Sequence, residues 1–327
     1  MTTPARTALL VVSFDAADLL ARHLAAVGWA EAGITVVVVD NFAGAPARRR
    51  VSELAAEQGW TLVAVDGNPG FGAAVNRGAA AARAAGCDVV VLLNPDAAAD
   101  PATVEALAAV VRADPAVAVS PRVVTSTGAV AYRGSQWSRR DGRIRGLPPA
   151  ATGVTERWLD DDLRGQLPGP ARGWLTGACL AVHLDTFAAV DGFDERYFLY
   201  WEDIDFSDRL LEAGVRLLVR LDLTVVHDEG GTHGPGTGSP RKSNLYYRWN
   251  CRNRLAFAAF RLPRRDAWRW VATTPVQSAA ILMRGGRRQV VESPTVVAAA
   301  VRGSLAGVAL VARTSLRPRR GAGDGPR

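Results

Sequence analysis

The sequence predicts an α/β protein: a doubly wound, mostly parallel sheet with helices on both faces, followed by a basic helical tail. Three observations carry that reading. Uninterrupted apolar runs alternate with helix-length stretches through the first hundred residues, which is the pattern of buried parallel strands and their crossover helices. Polar or acidic residues close these runs, at Ser13, Asp40 and Asn94-Pro-Asp96, and the carboxyl ends of the strands are where a doubly wound sheet binds its ligands. The charge then changes character: of 39 Lys+Arg and 32 Asp+Glu, residues 241–327 hold 18 and 3, leaving 21 and 29 for residues 1–240.

Taken in order, residues 7–13 read as a strand, 18–27 as a helix and 34–40 as a second strand. A helix over 48–58, a strand over 61–65, an Ala-rich helix over 73–85 and a strand over 89–93 complete the alternation. A helix over 102–112 precedes two short strands at 117–121 and 122–125. Residues 133–172, rich in Gly, Pro, Arg and Asp, read as an irregular excursion of the kind that is functional or mobile. Residues 173–182 read as one strand whose small side chains let backbone approach something closely. An acidic stretch, Glu202-Asp-Ile-Asp205, opens a helix that stops at Gly214, and two strands follow at 215–219 and 223–227, with His227 standing before a Gly-rich turn.

From residue 241 aromatic and basic side chains interleave, and two apolar runs near 271–283 and 296–312 follow; the first is too short to span a bilayer and the second contains Arg302. Interfacial helices fit this composition better than spanning ones, and residues 317–327 read as a disordered tail. The resulting division is a body over 1–240, an extension over 241–316 and the tail. Three widely spaced cysteines form no metal or disulfide pattern, and no export signal opens the chain, so a reducing cytoplasm is the expected setting. The basic extension suits an anionic surface, the candidates being phospholipid headgroups, nucleic acid or a phosphorylated acceptor; no nucleic-acid motif accompanies it.

The chemistry-bearing residues fall at the strand ends. Asp96 and His227 are reasonable oxygen and nitrogen ligands for Mg²⁺ or Mn²⁺ on a diphosphate, although the first could cap the next helix and the second could be structural. The loop at 67–72 has the first spacing of a dinucleotide fingerprint at Gly70 and Gly72, but Val75 stands at the third glycine position, which argues against an NAD site. Its Asn68, Asn76 and Arg77 still offer donors at a helix start for phosphate or ribose. Glu202, Asp203 and Asp205 follow the aromatic residues Tyr197, Phe198, Tyr200 and Trp201, so a carboxylate that takes a proton would have an apolar wall beside it.

In this order, Val11-Val-Ser13, Val39-Asp40-Asn41, Asn68-Pro-Gly70-Phe-Gly72 with Asn76 and Gly78, Leu92-Leu-Asn94-Pro-Asp96, Gly177-Ala-Cys179, Gly192-Phe-Asp-Glu195, Phe198-Leu-Tyr-Trp-Glu-Asp-Ile-Asp205 and His227 resemble the family 2 glycosyltransferases of GT-A fold, in particular the bacterial rhamnosyltransferase-like branch. The resemblance covers about residues 7–257. It implies an inverting sugar transfer from a nucleoside-diphosphate donor (dTDP, UDP or GDP, with dTDP-rhamnose foremost) to a cell-envelope glycan or lipid-linked acceptor. Ser13, Asp40, Asn68, Gly70, Asn76, Asn94 and Asp96 would bind the donor, Asp40 at the nucleobase; Asp96 and His227 would hold the metal. Asp203, paired with Glu202, would be the general base. Tyr200, Trp201 and Asp205 would face the acceptor. Such an enzyme would be peripheral to the inner face of the plasma membrane. The chain departs from the family pattern at Phe14-Asp15 and at Phe42-Ala-Gly-Ala45. The rival reading is a non-catalytic glycan- or RNA-binding protein on the same scaffold.

Overall fold

In a computed structural model, residues 6–159, 167, 169–227 and 241–316 are described; the Gly-rich turn expected after His227 and the tail 317–327 lie outside the described residues. The chain divides into two compact units, Met1–Arg139 with Ile144–Gly238, and Arg140–Arg143 with Ser239–Arg327.

The first unit opens with β1 (Thr7–Ser13), α1 (Ala17–His23), β2 (Ile34–Asp40), α2 (Ala45–Gln58), β3 (Thr61–Ala64), α3 (Phe71–Ala84) and β4 (Val89–Leu93). It continues through β5 (Ala97–Ala98), α4 (Pro101–Ala113), β6 (Val117–Val124), β7 (Val130–Tyr132), β8 (Ser135–Ser138), β9 (Ile144–Gly146), β10 (Glu156–Trp158), β11 (Ala171–Trp174) and β12 (Cys179–His183). It closes with α5 (Leu184–Ala189), α6 (Glu202–Glu212) and β13 (Arg216–His227). The main sheet runs β10-β13-β6-β12-β4-β1-β2-β3, with β5 beside β13 and β7 beside β6. Strands β3, β2, β1, β4, β6 and β13 share one direction, and β12 and β10 run against it. The mostly parallel, doubly wound expectation therefore holds.

Burial explains why the leading strands are continuous apolar runs. Ala8, Leu10, Val12, Val37, Val39, Val90 and Leu92 face a core with Ala74, Val75 and Ala79 of α3 and Phe206 and Leu210 of α6. The alternating set, Leu9, Val11, Val36, Val38, Val89, Val91 and Leu93, faces Leu20 of α1, Val51 of α2, and Val104 and Leu107 of α4. Both faces of these strands are covered, so neither carries a polar alternation. Helix α3 lies so close to the sheet that a β-carbon at Gly78 would stand 2.5 Å from Leu10 Cδ1.

Four sequence expectations change. The two strands expected over 117–125 are the single β6, Val117–Val124, which runs through Pro121. The strands expected at 215–219 and 223–227 are likewise the single β13, whose register against β6 shifts between Arg220 and Thr224; the Arg220–Asp222 ion pair at 2.6 Å occupies that interruption, and a bulge absorbs it without ending the strand. The excursion at 133–172 contains β8 and β9, which with β11 form a separate antiparallel sheet ordered β11-β8-β9, and β10, which extends the main sheet. The single strand expected over 173–182 is split between β11 and β12, in different sheets, and the turn between them proves central to the site.

In the second unit, α7 (Asn244–Arg261), α8 (Arg264–Ala272), α9 (Thr274–Leu282), α10 (Arg287–Glu292) and α11 (Pro294–Leu316) are all helical. Helix α11 rests on α7 through small residues: a β-carbon at Gly303 would meet the Arg248 carbonyl at 2.1 Å, and one at Gly307 would meet Leu255 Cβ at 2.7 Å. The buried Arg254 guanidinium satisfies itself on backbone and hydroxyl oxygens, donating to the Asp141 carbonyl at 2.7 Å, the Trp270 carbonyl at 3.0 Å and Thr273 Oγ1 at 2.7 Å.

Candidate active site

Because β1, β2, β3, β4 and β13 are parallel, their carboxyl ends bring Ser13, Asp40, the loop at 67–70, Asn94-Pro-Asp96 and His227 to one edge of the sheet. Asp96 and His227 meet there: His227 Nε2 lies 3.0 Å from Asp96 Oδ1 and 3.4 Å from Asn94 Nδ2. Their juxtaposition across 131 residues follows from β5, where Ala97 pairs directly with His227. The alternative in which Asp96 caps the next helix is excluded, because Asp100 does so, accepting the Thr103 N–H at 2.6 Å.

The second carboxylate centre is the start of α6. Tyr200 and Trp201 both take left-handed backbone angles, φ 66° and 77°, a conformation that costs bulky residues about 1–3 kcal/mol each and clusters at functional sites. The turn aims Asp203 at the loop between β11 and β12. There Asp203 Oδ2 accepts the Gly177 N–H at 3.3 Å, while Oδ1 accepts the Ile204 N–H at 2.9 Å. One residue on, the Ala178 carbonyl accepts the Asn94 N–H at 3.0 Å. Adjacent residues of one loop thus touch both centres, which accounts for the small side chains noted there.

Burial pushes the Asp203 carboxyl up to about 6, against the lowering effect of the backbone N–H groups of Gly177 and Ile204. Desolvation thus outweighs the donors at the helix start. Glu202, also buried, is raised well above the ordinary carboxyl range by burial and then by the charge on Asp203, and its Oε2 has no hydrogen-bond partner. Of the two, Asp203 carries the negative charge and Glu202 keeps the proton. Tyr132, absent from the sequence-based candidates, belongs to the same centre; burial and the Asp203 charge raise its hydroxyl, which donates to the Trp174 carbonyl at 2.8 Å.

Other assignments fare differently. Asp205, expected to face the acceptor, is fully buried, takes Arg209 Nε at 2.8 Å and the Tyr197 hydroxyl at 3.4 Å, and anchors the helix internally. Trp201, 3% exposed, and Tyr197, fully buried, face the interior, so the aromatic wall reduces to the half-buried Phe198 and Tyr200. The stacked pair Phe193–Phe206, with ring centroids 4.5 Å apart, supports α6 from beneath. Asn76 grips the backbone of Phe193, accepting its N–H at 2.8 Å and donating to its carbonyl at 2.9 Å, so its amide fixes the turn before α6. Asn68 accepts the Gly70 N–H at 3.0 Å and the Asn41 amide at 2.9 Å. Gly70 is required as glycine: its φ is 101°, and a β-carbon would stand 2.4 Å from the Phe198 carbonyl. Asn41, which braces this loop, was marked in the sequence only as part of a motif.

A parallel-strand edge with an Asp–His pair, beside a helix-start carboxylate poised near neutral pH, defines an α/β enzyme that handles an anionic ligand and moves a proton. Comparison with known proteins specifies which. The model for Glycosyl transferase family 2 matches residues 9–158. The N-acetylglucosaminyl-diphospho-decaprenol L-rhamnosyltransferase of Mycobacterium tuberculosis is 31% identical over 241 residues, covering 69% of this chain and 77% of that protein. Rhamnosyltransferase WbbL of Escherichia coli is 50% identical over 44 residues, 14% of this chain and 17% of WbbL. Among solved structures, S. aureus TarS 1–349 in complex with UDP-GlcNAc has a TM-score of 0.50 at 13% identity, covering 91% of this chain and 89% of that one; this likeness speaks for the fold. The chain belongs to glycosyl transferase family 2 and is a glycosyltransferase.

The state of Glu202 has a consequence for stability. Its raised pKa means that the folded protein binds this proton more tightly than the unfolded chain, so the contribution is present below its ordinary value of 4.5 and is lost as pH rises. In Glu202→Gln the proton is no longer at stake. The variant should melt like wild type below the ordinary carboxyl value of 4.5 and gain relative stability as pH rises above it, as followed by thermal unfolding across pH.

Proposed function

We propose that the protein transfers a sugar, L-rhamnose from dTDP-rhamnose, with inversion, onto a lipid-linked or cell-envelope glycan acceptor at the cytoplasmic face of the membrane. The observation that carries this reading is the pairing of two centres through one loop: Asp203 on the Gly177 N–H, and the Asp96 turn on the Ala178 carbonyl. The names of the mycobacterial and E. coli relatives support the choice of sugar, and that of the mycobacterial relative supports a lipid-linked acceptor.

Asp203 accepts the proton of the acceptor hydroxyl as its oxygen attacks the anomeric carbon from the face opposite the leaving diphosphate. Glu202, neutral and buried beside it, adds no competing charge. Half-buried Tyr200 offers an aromatic surface for the acceptor sugar. Asn68 and Gly70 shape the donor loop and Asn94 braces His227. Asp96 and His227 would hold Mg²⁺ or Mn²⁺: a hard carboxylate oxygen and an imidazole nitrogen 3.0 Å apart fit such an ion. Among the described residues no group of three His, Cys, Asp or Glu gathers, so phosphate oxygens and water would complete the sphere. When bound, the cation neutralises charge on the leaving diphosphate. Asp203→Asn should lower transfer by about 10²–10⁴-fold while dTDP binding, read by calorimetry, persists; undiminished turnover would remove Asp203 as the base.

Membrane attachment through the second unit belongs to the same reading. Residues 241–316 carry 14 Lys+Arg against Asp266 and Glu292. Helix α11 is long and apolar enough to cross a bilayer, with a mean hydropathy of 1.8 in its best window. It nevertheless rests along α7, a helix with buried Asn250, Asn253 and Arg254, which favours a position in the interface. Val276, Val301 and Leu305, each at least half exposed, supply an apolar contact. The full-length protein should float with anionic vesicles and less with neutral ones, and a Val301→Glu/Leu305→Glu variant should lose flotation; retention of flotation by that variant would remove α11 from the contact.

A further inference from the structure

The end of β2 assigns a donor-recognition role to a residue that no motif marked. The Asp40 side chain is 1% exposed, and its Oδ2 is taken by Arg48 Nε at 2.5 Å. Arg48 also donates through Nη2 to the Val65 carbonyl, just beyond β3. Its guanidinium lies over the Phe42 ring, 4.5 Å from the centroid. The fork is therefore fixed on one edge by Asp40, on another by the backbone and on one face by an aromatic ring. Among the described residues Nη1 makes no hydrogen bond and has only a loose 3.7 Å approach to the exposed Asp66. With a quarter of its side chain exposed, Arg48 presents two N–H donors and a flat cationic face at the ligand edge of the sheet.

The backbone around it is arranged at a cost. Asp15 and Phe42, each two residues past a strand end, have φ 51° and 38°. Both are tied to α2, Asp15 by Arg50 at 2.9 Å and Phe42 by Arg48. Arg48 itself sits near the N-terminus of α2, where a cation opposes the helix dipole unless an anion compensates it. The Ser13 hydroxyl and Asn41 Oδ1, beside Asp40 across the register pair Ser13↔Asp40, are buried without protein partners. Of these residues, Asp15 and Phe42 lie in the two stretches, Phe14-Asp15 and Phe42-Ala-Gly-Ala45, that depart from the resemblance.

We infer that Arg48 meets the donor's nucleobase beside Asp40, whose Oδ2 anchors the guanidinium and sets its direction. The N–H donors of Arg48 select a base with a carbonyl on its edge, such as thymine or uracil, over adenine, which has none. The inference rests on the donor-binding reading above.

The test is titration calorimetry of dTDP, UDP, ADP and inorganic pyrophosphate, with Mn²⁺ present, on the full chain and on Arg48→Lys. The lysine still neutralises Asp40 but lacks the fork and the flat face. Wild type should prefer dTDP and UDP over ADP. Arg48→Lys should lose about ten-fold or more of that preference, with pyrophosphate binding and thermal midpoint unchanged. Should the lysine variant unfold, Asp40→Asn/Arg48→Gln, a neutral pair of similar volume, is read by the same affinity ratio. A ratio equal to wild type in the folded variant would overturn the inference and leave the donor reading standing. Absence of any nucleoside-diphosphate binding to wild type would overturn both.

Discussion

The active centre depends on a contest over one carboxylate. Burial at the start of α6 favours the protonated form of Asp203, and the N–H groups of Gly177 and Ile204 favour the ionised form. Burial prevails by enough to bring the group near neutral pH without fixing its proton, which is the condition for a general base. Glu202 lies on the other side of that balance, kept neutral by the same burial and by its neighbour's charge. Two adjacent acids thereby acquire different roles from environment alone.

The rest of the first unit can be understood as the support for that carboxylate. The left-handed angles at Tyr200 and Trp201 turn the chain into α6. Asn76 fixes the preceding turn on Phe193, and the Arg172–Asp208 pair at 2.5 Å ties α6 to β11. From β11 the chain turns through Gly177 and Ala178 into β12, which lies antiparallel between β4 and β6. The reversed strand delivers this loop to the carboxyl end of β4, so the proposed base, Asp203, and the Asp96–His227 pair share a scaffold a few residues long.

How much of this was legible in the sequence depended on how each residue is buried. Strands covered on both faces, β1, β2 and β4, announce themselves as apolar runs, and their closing residues Ser13, Asp40 and Asn94 mark the ligand edge. Strands of three or four residues, such as β8 to β11, are too short to show a period. The acids at 202–205 were visible as a group, but their division was not: Asp205 turns inward to Arg209 because of the angle at which α6 starts, and no spacing rule encodes a left-handed Trp201. Asp96 and His227 could be paired on chemistry, whereas the cause of their meeting, two residues of β5 on β13, was hidden. Arg48 was hidden differently, as one arginine of three in a row whose buried partner only the fold reveals.

The proposed work of Asp203 as a base from a raised pKa is read in the pH dependence of kcat/KM for transfer. The rate should rise through an acid limb centred at about 6, because Asp203 must lose its proton before it can accept one. A limb near the ordinary aspartate value of 3.8, or a profile flat through the region around 6, would contradict it.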